Sequence, residues 1–121
     1  MSDSLVNGTS GVYTPSLTNT LNISGSTAYE CQYLRVGKTV TVSGRVDIDP
    51  TGAGHATLGM SLPIASDFGA VEDCAGTGII IDAQEATGII ASVANNTAVF
   101  DWIAINTANA QWAFIFTYQV I

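Results

Sequence analysis

Positive charge is what this sequence has least of: Arg35, Lys38 and Arg45 are its only basic residues apart from one histidine, against ten acidic ones. Affinity for nucleic acid rests on clustered Lys and Arg that release counterions, so a phosphate-backbone partner is excluded on electrostatic grounds. Charge of either sign is sparse, at 11% of residues where ordinary soluble domains carry about 25%. Solubility therefore falls to Thr, Ser, Asn and Gly. No apolar run approaches the ~18 residues that span a bilayer. The first ten residues have neither a basic n-region nor an apolar h-region. The expectation is synthesis in the cytoplasm with no membrane partner. Cysteine is limited to Cys31 and Cys74, and in a reducing compartment these are expected to be buried thiols that behave as small hydrophobes. Apolar residues at helical spacing are missing as well, so no long helix is predicted.

What remains is the vocabulary of strands and turns. At 121 residues the chain suffices for one domain and not two. Residues 1–10 are polar and aperiodic, which predicts a flexible N-terminal arm whose only apolar handle is Leu5 and Val6. From residue 11 to 121 short strands alternate with turn signals. Val40, Val42, Val46 and Ile48 alternate with Thr39, Thr41, Ser43, Arg45 and Asp47, one face core and the other wet. Thr27 to Val36 is expected to pair back on this strand across Gly37-Lys38. His55 to Leu62, Cys74 to Asp82, Ala86 to Ala94 and Thr97 to Asn106 read as further strands. Ile64 to Asp73 reads as a long connection. The runs Ile79-Ile-Ile81 and Ile89-Ile-Ala91 predict strands covered on both sides. The last strand places Trp112, Phe114, Phe116, Tyr118 and Val120 on one face. Ala113, Ile115 and Ile121 make its second face apolar too, and such a surplus face with little charge predicts burial against a sister chain. About eight strands in this rhythm are the signature of an all-β antiparallel sandwich or barrel, and the long Ile64 to Asp73 connection favours a two-sheet sandwich.

No catalytic or cofactor-binding constellation emerges. His55 could serve Ser61 as a base, but Gly59-Met-Ser61-Leu-Pro63 lacks the second glycine of a nucleophile elbow. Asp47-Ile-Asp49-Pro-Thr-Gly52 imitates the opening of a calcium loop, yet the twelfth position is Leu58 where a bidentate Glu belongs. Gly52-Ala-Gly54 and Gly76-Thr-Gly78 lack the downstream glycine and helix of a phosphate loop. Neither an enzyme nor a metal nor a cofactor is expected.

The sequence resembles the small jelly-roll domains on the outside of tailed-bacteriophage virions. The likeness spans residues 11–121 and rests on Gly11-Val-Tyr-Thr-Pro15 with Leu17-Thr-Asn19, on Tyr33-Leu-Arg-Val-Gly-Lys-Thr-Val-Thr-Val-Ser-Gly44, on Ser61-Leu-Pro-Ile-Ala-Ser-Asp-Phe68 and on the closing aromatic strand. These domains resemble tumour-necrosis-factor-like trimers. The resemblance therefore implies a jelly-roll homotrimer on the virion surface, either a capsid decoration or cement protein bound to the major capsid protein, or the receptor- or glycan-binding tip of a tail fibre or needle. Only ten irregular residues precede the first strand, with no heptads or β-repeats to act as a shaft, which favours the free-standing cement module. In that role Leu5 and Val6 are the expected capsid contact, and Ala113, Ile115 and Ile121 the expected oligomer interface.

Overall fold

Alternation of Val40, Val42, Val46 and Ile48, all fully buried, with Thr39, Thr41, Ser43 and Arg45 produces the longest strand, Thr39–Pro50. A computed structural model describes residues 8–121, and in it this strand is the fifth of ten. The others are β1 (Gly8–Tyr13), β2 (Leu17–Leu21), β3 (Ile23–Ala28), β4 (Cys31–Val36), β6 (Gly54–Met60), β7 (Cys74–Ile80), β8 (Ala86–Ser92), β9 (Thr97–Ala104) and β10 (Ala110–Gln119), with Thr39–Pro50 as β5. Helix among the described residues is limited to a 3-10 turn at Val71–Asp73.

All strand pairs are antiparallel, and they form one path, β1-β4-β5-β10-β7-β8-β9-β6-β2, with β3 also paired to β5. β10 lies along β5 from Ala110 opposite Ile48 to Gln119 opposite Thr39. On its other edge β5 takes β4 along its first half and β3 along its second. The sheet curls around its apolar face. Phe100 on β9 meets Phe114 on β10 edge-on at 5.3 Å, and Trp102 meets Trp112 at 5.1 Å, although β9 and β10 lie three places apart along the path. Only a strongly bent sheet lets those rings touch across its interior. β2 and β3 join at a tight corner, Asn22, with φ 58°, a conformation Asn tolerates because its short amide bonds locally. That amide donates to the Gly52 carbonyl at 2.8 Å and accepts from the Gly52 N–H at 3.1 Å.

Both open ends of the curl are closed by side chains. The connection from β6 to β7 crosses one end, where the Tyr118 hydroxyl donates to the Ile64 carbonyl at 2.7 Å and accepts from the Ile64 N–H at 3.1 Å. Phe68, buried, packs edge-on against Tyr118. At the other end the Glu85 carboxylate accepts from Trp102 Nε1 at 3.0 Å and from the N–H groups of Ile105 and Asn106 at 3.1 and 2.8 Å. That pins the turn between β9 and β10.

The chain is thus all-β and antiparallel as expected, with ten strands where about eight were counted, arranged as a single curled path. The extra strands have two sources. The segment expected as one strand from Thr27 divides at Tyr29-Glu30 into β3 and β4, both of which use β5. The first strand starts at Gly8, so that Gly8, Thr9 and Ser10, expected in the arm, pair with Val36, Arg35 and Leu34. The isoleucine runs are covered on one side only. Ile80 and Ile89 are buried, whereas Ile79, Ile81 and Ile90 are 45%, 52% and 39% exposed. The cysteines match their expectation, since both are free and buried.

Candidate functional site

The period of two that fills the core leaves the opposite face of the central strands outward, and its composition is unusual for an acidic chain. From β10 come Ala113 and Ile115, from β7 Thr77 and Ile79, and from β8 Ala86, Gly88 and Ile90, all of them exposed. The register aligns them: Ala113 stands opposite Ile79 and Ile79 opposite Ala86, while Ile115 stands opposite Thr77 and Thr77 opposite Gly88. No charged residue interrupts this block. Small residues beside isoleucines leave a shallow depression of about 460 Å³ between Thr77, Ile79, Ala86, Ala113 and Ile115. Ile103 on β9 and Ile105 beyond it, 63% and 78% exposed, extend the apolar surface.

Charge appears at the margins. On the β5 side, Arg45 pairs with Asp47 at 3.2 Å, and its guanidinium lies 4.4 Å from the centre of the Tyr29 ring. The Tyr29 hydroxyl donates to Asp47 at 2.8 Å, and that bond raises the phenol above its ordinary value, with burial and the Asp47 charge adding to it. The same carboxylate raises Arg45 further. On the β9 side, His55 Nε2 lies 2.7 Å from Asp101 Oδ1, both side chains substantially exposed.

The residues considered for chemistry are not brought together. His55 bonds Asp101, while Ser61 Oγ accepts from the Ser16 N–H at 2.8 Å and the Ser61 carbonyl accepts from Tyr13. Asp47, the first carboxylate of the calcium-like stretch, is engaged by Tyr29 and Arg45. Among the described residues no group of three or more His, Cys, Asp or Glu side chains gathers as a metal cage would require. The Cys74 thiol is pushed up to about 12 by burial, and burial raises Cys31 as well. A nucleophilic cysteine needs the opposite shift, because the thiolate is the reactive form.

Of the interface residues expected from the sequence, Ala113 and Ile115 sit in the apolar block, and Ile121 is 62% exposed at the end of the chain. Leu5 and Val6 lie outside the described residues. The sequence pattern does not align β7 and β8 with β10, although the isoleucine run at 79–81 carries a signal: a strand apolar on both faces, of which the described residues cover only one. Comparison with protein-family models, with curated proteins and with solved structures finds no match.

Proposed function

We propose that this protein is a self-associating structural protein of a tailed-phage particle, a homotrimeric capsid decoration or cement protein that binds the major capsid protein on the outside of the head after synthesis in the host cytoplasm. One observation carries the reading: the uncharged, isoleucine-bearing outer face of β10, β7 and β8 in a chain whose formal charge is −7. Surface of that kind is costly to leave in water and marks an association site. The resemblance to virion jelly-roll domains points the same way. In this proposal the curled sheet works as two facing layers of jelly-roll type, β1-β4-β5-β10-β7 against β8-β9-β6-β2.

Several weak contacts per trimer would hold it on a shell by avidity, since each contact after the first is intramolecular. Binding the assembled shell in preference to free subunits would stabilise that shell by mass action. Leu5 and Val6 are the proposed capsid contact. The reading assigns the chain no catalysis and no cofactor.

Counting copies per purified particle tests it. Hundreds of copies, together with lower heat resistance of particles lacking the protein, support the cement role. A handful of copies at the tail replaces it with the fibre-tip role, and absence from particles overturns the virion assignment.

A further inference from the structure

The outer face specifies how copies meet. Resting on the self-association proposed above, we infer that copies meet through this face with β8 of one against β10 of the other, Gly88 on the contact line, and Arg45 facing Asp101 of the neighbouring copy.

Curvature comes first. Because the core lies inside the curl, the outer face is convex, and convex surfaces touch along a line. Side chains on that line must be small for backbones to come close. β8 offers Ala86 and Gly88 there, and β10 offers Ala113, with Ile90 and Ile115 beside them. Crowding within the fold does not account for glycine at 88. It lies inside a strand whose register with both neighbours is continuous, so it marks no bulge. A Cβ built there would meet nothing within 4 Å. An exposed strand glycine with neither bulge nor crowding leaves room for another backbone to approach closely.

Charge selects a second copy as the occupant. The apolar block is flanked on one side by Arg45 of β5, which pairs with Asp47, and on the other by Asp101 of β9, whose Oδ1 pairs with His55 and whose Oδ2 faces no partner among the described residues. Arg45 uses Nε and Nη2 for Asp47 and Tyr29, which leaves Nη1 for a partner across the rim. When β8 of one copy meets β10 of the next, the strands flanking the contact are β9 and β5, so Asp101 and Arg45 fall on the same rim. The β8-to-β10 contact forms once per pair in a head-to-tail ring such as a three-fold, and twice where a two-fold axis runs through β7. A two-fold contact between like patches at either margin would set Arg45 on Arg45 or Asp101 on Asp101. Size sets a bound: five strands from β5 to β9 by about six residues give roughly 500 Å² in projection at ordinary strand spacing and rise. A two-fold offers all of it to one partner and a ring divides it between two neighbours, against the ~800 Å² each partner gives to a stable interface.

Sedimentation velocity of the full chain across a concentration series is the test, with circular dichroism confirming that each variant is folded. Arg45→Asp and Asp101→Arg should each raise the concentration for half-assembly about tenfold or more, and the double variant should recover most of that loss. Gly88→Tyr should give a folded monomer, since the fold has room for the side chain and the neighbour does not. Assembly unchanged in Gly88→Tyr overturns the contact line, and a double variant no better than the worse single one overturns the Arg45 to Asp101 pairing. In both cases the wild type still assembles, so self-association survives. A wild type that stays monomeric at every concentration removes both together.

Discussion

The two faces of β10 are built from the same ten residues and meet opposite fates. Inward, Trp112, Phe114, Phe116 and Tyr118 are at most 5% exposed and form a continuous aromatic row. Outward, Ala113 and Ile115 lie in the open, Ile115 at 49%. Both faces are apolar, so hydrophobicity alone does not separate them. What separates them is partner supply: the inner row is contacted by β9, β7 and the β6 to β7 connection, whereas among the described residues nothing covers the outer row. The inner face is thus where folding energy resides, and the outer face keeps apolar surface that the described residues leave uncovered.

The largest effect should come from cutting the inner row. Phe116→Ala removes a ring that is 1% exposed and stacked on Phe114, and a phenylalanine deleted from a close-packed core costs about 3–5 kcal/mol. Ile115→Ala, the adjacent residue on the other face, should cost the isolated chain less than about 1 kcal/mol, because surface substitutions stay near zero. Urea unfolding of both variants at dilution low enough to suppress association measures the contrast. Equal losses would mean that the outer face is already buried in the monomer.

Glycines sharpen the contrast at lower cost. Gly76, on β7, faces inward across from Phe116, and a Cβ there would collide with the Ile115 carbonyl oxygen and the Phe116 backbone. Gly76→Ala should therefore destabilise by about 1–3 kcal/mol through overpacking. Gly88→Ala meets no atom and stiffens the unfolded chain, so it should leave stability unchanged or raise it by about 0.4–1 kcal/mol. Opposite signs at two strand glycines, read from the shift in thermal midpoint, are the expected result.

How much of this was legible in advance follows from the range of the interactions involved. The alternation in β5, β9 and β10 is a local pattern with one face buried, and it reads directly from Val40 to Ile48, from Thr97 to Ala104 and through the closing aromatics. Edge strands do not read this way. β1 and β2 are largely exposed, so no alternation is imposed on Gly8-Thr9-Ser10, and they look like an arm. The division between β3 and β4 carries neither Gly nor Pro at Tyr29-Glu30, since it is imposed by where β5 has room for partners. Strand order is a long-range property as well, which is why a two-sheet sandwich of about eight strands and a ten-strand curl fit the same sequence pattern. The face itself was half visible: Ala113 and Ile115 stood out on one strand, but their alignment with Ile79, Ala86 and Gly88 depends on β10 pairing with β7, more than twenty residues earlier.

Alkaline pH gives the smallest and most selective probe of the comparison. On the inner side Cys74 and Tyr118 are both pushed up to about 12, chiefly by burial, and Cys31 and Tyr13 rise for the same reason. On the outer side Tyr29 rises mainly through its hydrogen bond to Asp47, so the two faces resist ionisation by different means. A thiol whose folded value lies above its unfolded value of about 9 binds a proton that the unfolded chain has already released. Its contribution to stability is complete below pH 9 and is lost as pH rises from there toward 12. The slope approaches 1.4 kcal/mol per pH unit for each such group, so stability should be level through neutral pH and about 1 kcal/mol lower by pH 10 on account of Cys74. Cys74→Ala should flatten that part of the profile, whatever it costs in packing at pH 7, because it removes the titrating group and leaves the rest of the interior in place. Urea midpoints at pH 7 and pH 10 for the two proteins separate the effects. An identical alkaline slope in both would place the thiol in contact with water, and with it would fall the claim that the inner face of the sheet is sealed at the β7 end.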